Sequence, residues 1–404
     1  MAGPLSGYRV LDLSRILAGP WASQLLADLG AEVIKIERPG SGDDTRGWGP
    51  PYVPDDNGAA TTESAYFFSA NRGKYSVCVD MACPEGQELI RDLVRQSDVM
   101  IENFKVGGLR KYGLDYPSLE AINPALVYCS ITGFGQTGPD AQRAGYDFMI
   151  QAMGGLMSVT GEADGPPLKA GVALADVLTG LYAANAIQAA LLSRQQTGDG
   201  QYIDMALLDV QVATLANQAM NYLATGDNPQ RLGNAHPNIV PYQAFATRDG
   251  YIILAVGNDA QFERFCELSG RLELSADVRF ARNRHRVKHR DLLIPEIAAI
   301  MKQRTSRDWL QDLNARGIPC GPINNLDQVF AEPQVKHRGM LIELDHARAG
   351  KVVGVGNPIK YSRTPVEQNR APPTLGQHTD EILKQRLGLD ASVLDGLRAS
   401  KVID

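Results

Sequence analysis

The chain has 404 residues, of which 44% are hydrophobic and 21% charged, and its formal net charge at pH 7 is −6. This length is sufficient for two domains with a sizeable core, and the composition is that of an ordinary globular protein. The acidic balance argues against nucleic acid as a partner, although local basic residues can still bind a small anionic ligand.

The cysteines and the N-terminus bear on the cellular compartment. The cysteines are odd in number and form no Cys-x-x-Cys pair, which argues against a disulfide framework and against a structural zinc site. The first residues, MAGPLSGYRVLDLS, have neither the basic nor the apolar region of a signal peptide. We therefore expect a protein of the reducing cytoplasm. The five cysteines are Cys78, Cys83, Cys129, Cys266 and Cys320.

Strand-like and helix-like segments alternate through the first 135 residues. Helical patterns at Ala22–Leu29 and Pro84–Gln96 separate short segments rich in Val and Ile, which predicts right-handed βαβ units and a mostly parallel sheet. A dinucleotide-binding dehydrogenase is disfavoured because SRILAGPWAS has one glycine where G-x-G-x-x-G is required, and no Walker motif occurs. The strand candidates are Tyr8–Leu13, Glu32–Glu37, Tyr75–Asp80, Val99–Phe104, Leu126–Thr132 and Tyr202–Leu207.

The longest apolar segment runs from Val172 to Leu192 and contains Asp176, Thr179 and Gln188. A membrane-spanning helix would bury the Asp176 carboxylate in lipid at a cost of roughly 3 kcal/mol. We therefore predict a buried helix of a globular domain and no membrane association.

A smaller domain is predicted to follow. Tyr242–Thr247 and Tyr251–Val256 flank the turn Arg248-Asp249-Gly250, which is the pattern of a β-hairpin. Helical patterns come after it, a second hairpin begins at Leu341, and terminal helices are expected over Gly376–Asp404. The predicted organisation is a large domain over 1–225, a smaller α+β domain over 226–330 and a return to the large domain over 331–404.

Asp176, in the segment GVALADVLTG, has two interpretations. It is suited to be the N-cap of the apolar helix, a common structural role for aspartate. Alternatively, the helix dipole and the free amides keep its carboxylate ionised, and an ionised carboxylate can attack a thioester carbonyl. Spacing alone does not choose between them.

Other polar residues also have two interpretations. Arg46, in the glycine-rich segment 36–51, belongs either to a surface loop or to a carboxylate-binding lid at the ligand edge of the sheet. His236, in GNAHPN, is either an active-site residue or a hydrogen-bonded loop histidine. His285 and His289 have a spacing that suits a metal, but Lys and Arg surround them and we expect no metal site.

Many ordered motifs resemble the family III CoA-transferases from about Leu5 to the C-terminal PPTLGQHTDEIL. They include LDLSRILAGPWASQLLADLGAEVIKIERPG, NRGKYSVCVDM, DVMIENF, YCSITGFGQTGP, GVALADVLTGLYA, GIPCGPINN and EPQVKHRGM. Within the family, GDDTRGWGPP, RAGYD and AHPNIVPYQAF are most similar to the branch that exchanges CoA between succinate and glutarate.

The resemblance implies a Rossmann-like large domain, a smaller domain, and two chains threaded through each other as linked rings in a homodimer. It places the nucleophile at Asp176, and Arg38 and Lys111 at the nucleotide end of CoA. The implied CoA contacts are Leu17, Ala18, Arg38, Val79, Asp80, Asn103, Phe104, Lys111 and Tyr146. The candidates for binding the substrate carboxylate are Arg46, Arg15, Arg143 and His236.

The implied reaction moves CoA from an acyl-CoA such as succinyl-CoA to a carboxylic acid such as glutarate, through an aspartyl-CoA thioester and without a cofactor. Formyl-CoA/oxalate and carnitine-type transferases are alternatives; the former carry a glycine run where this chain has Gly233–Asn238. A racemase-like isomerase is a second alternative, but Tyr146 occupies the position of its histidine and a phenol is a poor base at neutral pH. A catalytically inactive CoA-binding protein is a third, and the presence of Asp176 argues against it.

Overall fold

The computed structural model describes residues 2–404, which divide into two compact units. Unit 1 comprises residues 2–156, 170–219 and 333–404, and unit 2 comprises residues 157–169 and 220–332. The sequence had suggested boundaries at 225/226 and 330/331. The short segment 157–169 of unit 2 comes from a part of the chain that had been assigned to the large domain.

The elements follow the predicted alternation. The strands are β1 (Arg9–Asp12), β2 (Glu32–Glu37), β3 (Lys74–Cys78), β4 (Val99–Glu102), β5 (Val127–Thr132), β6 (Gln201–Ala206), β7 (Tyr242–Ala246), β8 (Tyr251–Ala255), β9 (Cys320–Pro322), β10 (Leu341–His346) and β11 (Gly350–Val355). The helices are α1 (Ala18–Asp28), α2 (Ala65–Ala70), α3 (Pro84–Val94), α4 (Tyr116–Glu120), α5 (Asp147–Met153), α6 (Leu174–Thr197), α7 (Leu207–Ala213), α8 (Ala216–Thr225), α9 (Asp259–Ser269), α10 (Leu272–Ala276), α11 (Asn283–Lys288), α12 (Arg290–Met301), α13 (Ser306–Ala315), α14 (Leu326–Ala331), α15 (Pro333–His337), α16 (Thr379–Leu387) and α17 (Ala391–Ala399).

Unit 1 is built on a six-stranded sheet with the order β3-β2-β1-β4-β5-β6, in which all neighbouring strands run parallel. Successive side chains of a strand point to opposite faces, and both faces are covered here. In β4, Val99 and Ile101 belong to one apolar cluster and Met100 to the other. This arrangement explains why the strands are continuous apolar runs in the sequence and confirms the predicted α/β class.

The apolar helix α6 packs on one face of this sheet beside α1. The two helices approach closely at Gly180, where an added Cβ would lie 2.7 Å from the carbonyl oxygen of Ala18. Ala175, Ala183 and Ala184 are buried in the same apolar cluster as the strands. By length and composition α6 could cross a membrane, but these packed small residues identify it as a core helix of unit 1.

Unit 2 contains an antiparallel sheet in the order β7-β8-β9 and a core that includes Phe262, Phe265 and Trp309. The fully buried Arg286 donates from Nε to the carbonyl oxygen of Val240 at 2.7 Å, and its Nη2 lies 2.9 Å from Asp259 Oδ1. These bonds explain how a guanidinium group is tolerated inside an apolar core.

Candidate active site

The order of the sheet in unit 1 reverses between β1 and β4. In open parallel sheets, a crevice forms outside the carboxyl ends of the strands at such a point. The segments that follow the two strands, 15–18 and 103–105, both line a cavity of about 500 Å³. The fold therefore places the predicted residues of both segments in one site.

Four cationic side chains and two carboxylates, Asp44 and Asp176, line this first cavity, and Asp44 is paired with Arg15. Arg15, Lys105, Lys111 and Arg143 line it together with Asp176. A second cavity of about 450 Å³ shares Arg15, Asp44, Met81, Phe104 and Tyr112 with the first, so the two are contiguous. Of the predicted CoA contacts, Leu17, Ala18, Asn103, Phe104, Lys111 and Tyr146 line the first cavity, and Arg38, Val79, Asp80 and again Phe104 line the second.

Asp176 is the third residue of α6 and therefore does not have the N-cap role that was its structural interpretation. Ala173 precedes the helix and provides no side-chain cap. The cap is supplied by Asp147, whose Oδ1 accepts a hydrogen bond of 2.8 Å from the amide of Ala175. Within residues 2–404, no hydrogen bond or ion pair with another side chain reaches the Asp176 carboxylate, which leaves it available for chemistry.

The electrostatics of Asp176 differ from the expectation. The N-terminus of a helix should favour the ionised form, but burial and the nearby charge of Asp147 raise the pKa of Asp176 to about 7. Burial outweighs the dipole because transfer of a carboxylate out of water penalises its charge. At neutral pH this raised pKa therefore leaves part of the Asp176 carboxyl group protonated.

Tyr66 is within range of the charge of this carboxylate and was not identified from the sequence. Burial, followed by the charges of Asp176, Asp147 and Asp43, raises the pKa of Tyr66, so its phenol stays neutral. Its ring packs edge-to-face against Trp48, with the ring centroids 5.0 Å apart. A tyrosine on the short helix α2, far from Asp176 in sequence, carries no pattern that would have indicated this neighbourhood.

Arg46 does not have the geometry of a substrate-binding residue. The prediction that its guanidinium binds the substrate carboxylate is therefore corrected. Its Nε and Nη2 donate to the two oxygens of Glu37, at 2.8 and 2.6 Å, and its Nη1 donates to Pro373 O at 3.1 Å. The guanidinium also lies over the ring of Phe67, 3.7 Å from the centroid. Only 12% of the side chain is exposed. Arg46 therefore fixes its own loop.

The other candidates for binding the substrate carboxylate lie in different units of the chain. Arg15 and Arg143 line the first cavity with guanidinium groups about half exposed, each paired with an acidic neighbour, Asp44 and Asp140 respectively. His236 lies in unit 2, where its Nδ1 accepts a 3.0 Å hydrogen bond from the amide of Asn238. Burial and the charge of Arg290 lower the pKa of His236, so it is neutral at pH 7.

A cation-lined cavity with an unpaired carboxylate, at the reversal point of a Rossmann-like sheet, defines an α/β protein with a site for an anionic ligand. Residues 5–379 match the model of the CoA-transferase family III. The succinate–glutarate CoA-transferase of Agrobacterium fabrum is 53% identical over 382 residues, covering 95% of each chain. The succinyl-CoA:glutarate CoA-transferase of Mus musculus is 46% identical over 401 residues, covering 99% of this chain and 90% of the mouse protein.

A solved structure supports the same assignment. A CaiB/BaiF family protein from Brucella suis superposes with a TM-score of 0.84 at 53% identity, covering 96% of this chain and 100% of that one. The chain belongs to the family III CoA-transferases and is a CoA-transferase.

Proposed function

We propose that the enzyme moves CoA from succinyl-CoA to a dicarboxylate such as glutarate through a covalent aspartyl-CoA thioester at Asp176. The observation that carries the proposal is the Asp176 carboxylate, which lines a cation-rich cavity and has no partner side chain among residues 2–404. The names of the relatives from Agrobacterium fabrum and mouse support this choice of acids.

The reaction consists of two exchanges at one carboxyl group. The Asp176 carboxylate attacks the thioester carbonyl of succinyl-CoA, the C–S bond breaks, and a succinyl–aspartyl anhydride and CoA thiolate form. The thiolate attacks the aspartyl carbonyl of the anhydride, which releases succinate and leaves Asp176 as its CoA thioester. Glutarate then attacks this thioester, and the thiolate returns to the glutaryl carbonyl to give glutaryl-CoA and free Asp176. The thiolate is a competent leaving group because a thiol pKa is about 8.5.

The two contiguous cavities suggest how the substrates are placed. Asp176 lies in the first cavity, so the thioester end of CoA belongs there, and Arg38 in the second cavity is suited to the nucleotide phosphates. Arg15 and Arg143 are the candidates for the distal carboxylate of succinate or glutarate, because both guanidinium groups share the cavity of Asp176. A bidentate pair with a carboxylate would favour diacids over monoacids.

The pH dependence of transfer should report the ionisation of Asp176. Only the carboxylate attacks, so kcat/KM is expected to fall as the pH drops through about 7, the pKa of Asp176. Asp147→Asn keeps an oxygen for the Ala175 amide but removes a charge that opposes ionisation, so the acid limb should move to lower pH. Rate profiles of both proteins with succinyl-CoA and glutarate would test this. An unchanged acid limb in Asp147→Asn would contradict the assignment of that limb to Asp176.

We also propose that the enzyme works as a cytoplasmic homodimer. Large apolar side chains of α5, α6 and α7 are exposed, among them Phe148 at 57%, Leu192 at 63% and Val212 at 51%, and a second copy would cover them. All five cysteines are free thiols, which suits a reducing compartment. Sedimentation equilibrium should give twice the chain mass, and an active monomer at nanomolar concentration would contradict the dimer.

Substrate choice is tested by incubating the enzyme with succinyl-CoA and pairs of acids of equal length, such as glutarate and pentanoate. Mass spectrometry should show glutaryl-CoA formed in equal amount to the succinate released, with little pentanoyl-CoA and little free CoA. Hydrolysis without transfer would identify a thioesterase instead. Equal transfer to both acids would contradict the preference for a dicarboxylate.

A further inference from the structure

The backbone of Ile16 is in an unusual conformation. Its φ is +72°, a region that β-branched residues rarely adopt because the side chain collides with the backbone. Within residues 2–404, the other non-glycine residues with positive φ are Ala216 and Lys401. Ile16 lines the first cavity between Arg15 and Leu17, two residues before the start of α1. Such strain persists only where neighbouring groups enforce it.

Asn103, which follows β4 on the other side of the sheet reversal, holds the backbone of Arg15, the residue before Ile16. Its Oδ1 accepts a hydrogen bond of 2.9 Å from the Arg15 amide, and its Nδ2 donates one of 2.7 Å to the Arg15 carbonyl oxygen. Both backbone polar groups of Arg15 are therefore tied to the residue that follows β4. Asn103, which the resemblance had assigned to CoA, uses its side-chain amide within the protein.

Asp43 holds Ile16 from the loop after β2. Its Oδ1 accepts a hydrogen bond of 3.2 Å from the Ile16 amide, and its Oδ2 lies 2.9 Å from Lys35 Nζ. The side chains of Asp43 and Lys35 are fully buried. The segments that follow β2 and β4 thus both hold two consecutive residues, Arg15 and Ile16, of the segment that follows β1.

We propose that Asn103 is a positioning residue: by holding the Arg15 backbone it keeps Ile16 in the strained conformation that presents Leu17 and Ala18 to CoA. The strain itself brings no stability, so its retention beside Asp176 is explained by a binding role. The inference rests on the proposed binding of CoA in the first cavity. It differs from a direct contact between the Asn103 amide and CoA, because a direct contact would not depend on the conformation of residue 16.

A double-mutant cycle separates these two roles. The dissociation constant of CoA is measured by calorimetry for the wild type, Asn103→Ala, Ile16→Gly and the double variant. Loss of the Asn103 amide frees the Arg15 backbone and lets Ile16 relax to a negative φ, although the hydrogen bond from the Ile16 amide to Asp43 remains, and CoA binding should weaken about tenfold. Glycine adopts a positive φ without penalty, so in the Ile16→Gly background the same Asn103→Ala change should weaken binding less than about threefold.

Lys401→Gly is the matched control, because Lys401 also has a positive φ, of 62°, and is exposed near the C-terminus. In that background Asn103→Ala should still weaken CoA binding about tenfold. Equal losses in the wild-type and Ile16→Gly backgrounds would overturn the proposal and assign Asn103 to direct contact. The measurement needs no turnover, so a wild type that binds CoA but transfers none would count against the proposed function alone.

Discussion

Asp176→Ala is expected to lower the rate of CoA transfer by roughly 10⁴-fold or more, since the variant has no carboxylate to form the covalent intermediate. Its folding should not suffer. Burial raises the pKa of the Asp176 carboxylate to about 7, and no side chain would lose a hydrogen-bond partner if it were removed. Alanine is also favourable inside a helix. The melting temperature of Asp176→Ala should therefore equal or exceed that of the wild type.

The control for this variant is Asp395→Ala, which removes an aspartate that is 79% exposed on α17. Both variants should be folded, and only Asp176→Ala should lose transfer. CoA binding should survive in Asp176→Ala, because the cations of the cavity remain. Transfer at more than a small fraction of the wild-type rate would exclude Asp176 as the nucleophile.

The second large effect concerns stability. Arg46→Ala should lower the free energy of unfolding by about 3 kcal/mol, because it leaves the buried Glu37 carboxylate without its bidentate partner. The KM values for glutarate and pentanoate should change together, since the Arg46 guanidinium is occupied by Glu37 and Pro373. Urea unfolding at a fixed protein concentration measures the free energy of unfolding, and initial rates with each acid give the two KM values.

Arg46→Ala combined with Glu37→Gln provides the matched comparison. Glutamine fills the same space without a charge, so the double variant should recover part of the lost stability. Arg46→Lys should recover less than the full loss, because lysine lacks the planar fork that spans both carboxylate oxygens. If Arg46→Ala left the free energy of unfolding unchanged and raised only the KM for glutarate, Arg46 would instead bind the substrate carboxylate.

The sheet was predictable from the sequence because its signals are local. Each strand is a short apolar run between turn residues, and β2 was predicted with the bounds Glu32–Glu37 that the structure has. The helix containing Asp176 was predicted by its apolar composition, although it extends to Thr197. The parallel sheet placed the loop after β2 at the ligand edge, whereas the residues after β1 and β4 were expected in the site only because the family resemblance implies it.

The sequence-based predictions were wrong where a residue's role depends on its contacts in the folded protein. Arg46 was interpreted from its flanking glycines, but its partner Glu37 is the last residue of β2, and only the folded loop brings the two together. Asp176 was assigned a favoured charge from its helix, whereas burial and Asp147 decide its pKa. The conformation of Ile16 opposes the preference of its own side chain, so local sequence preferences predict the opposite of what the structure shows.

The most direct test of the account is to trap the covalent intermediate. Wild-type enzyme is mixed briefly with succinyl-CoA without an acceptor, treated with hydroxylamine, digested and analysed by peptide mass spectrometry. An aspartyl thioester or anhydride at Asp176 reacts with hydroxylamine to a hydroxamate, whereas a free carboxylate does not. We predict a hydroxamate on Asp176 that requires succinyl-CoA and does not form in Asp176→Ala. Unmodified Asp176 in an enzyme that transfers CoA, or a hydroxamate on another carboxylate, would contradict the proposed mechanism.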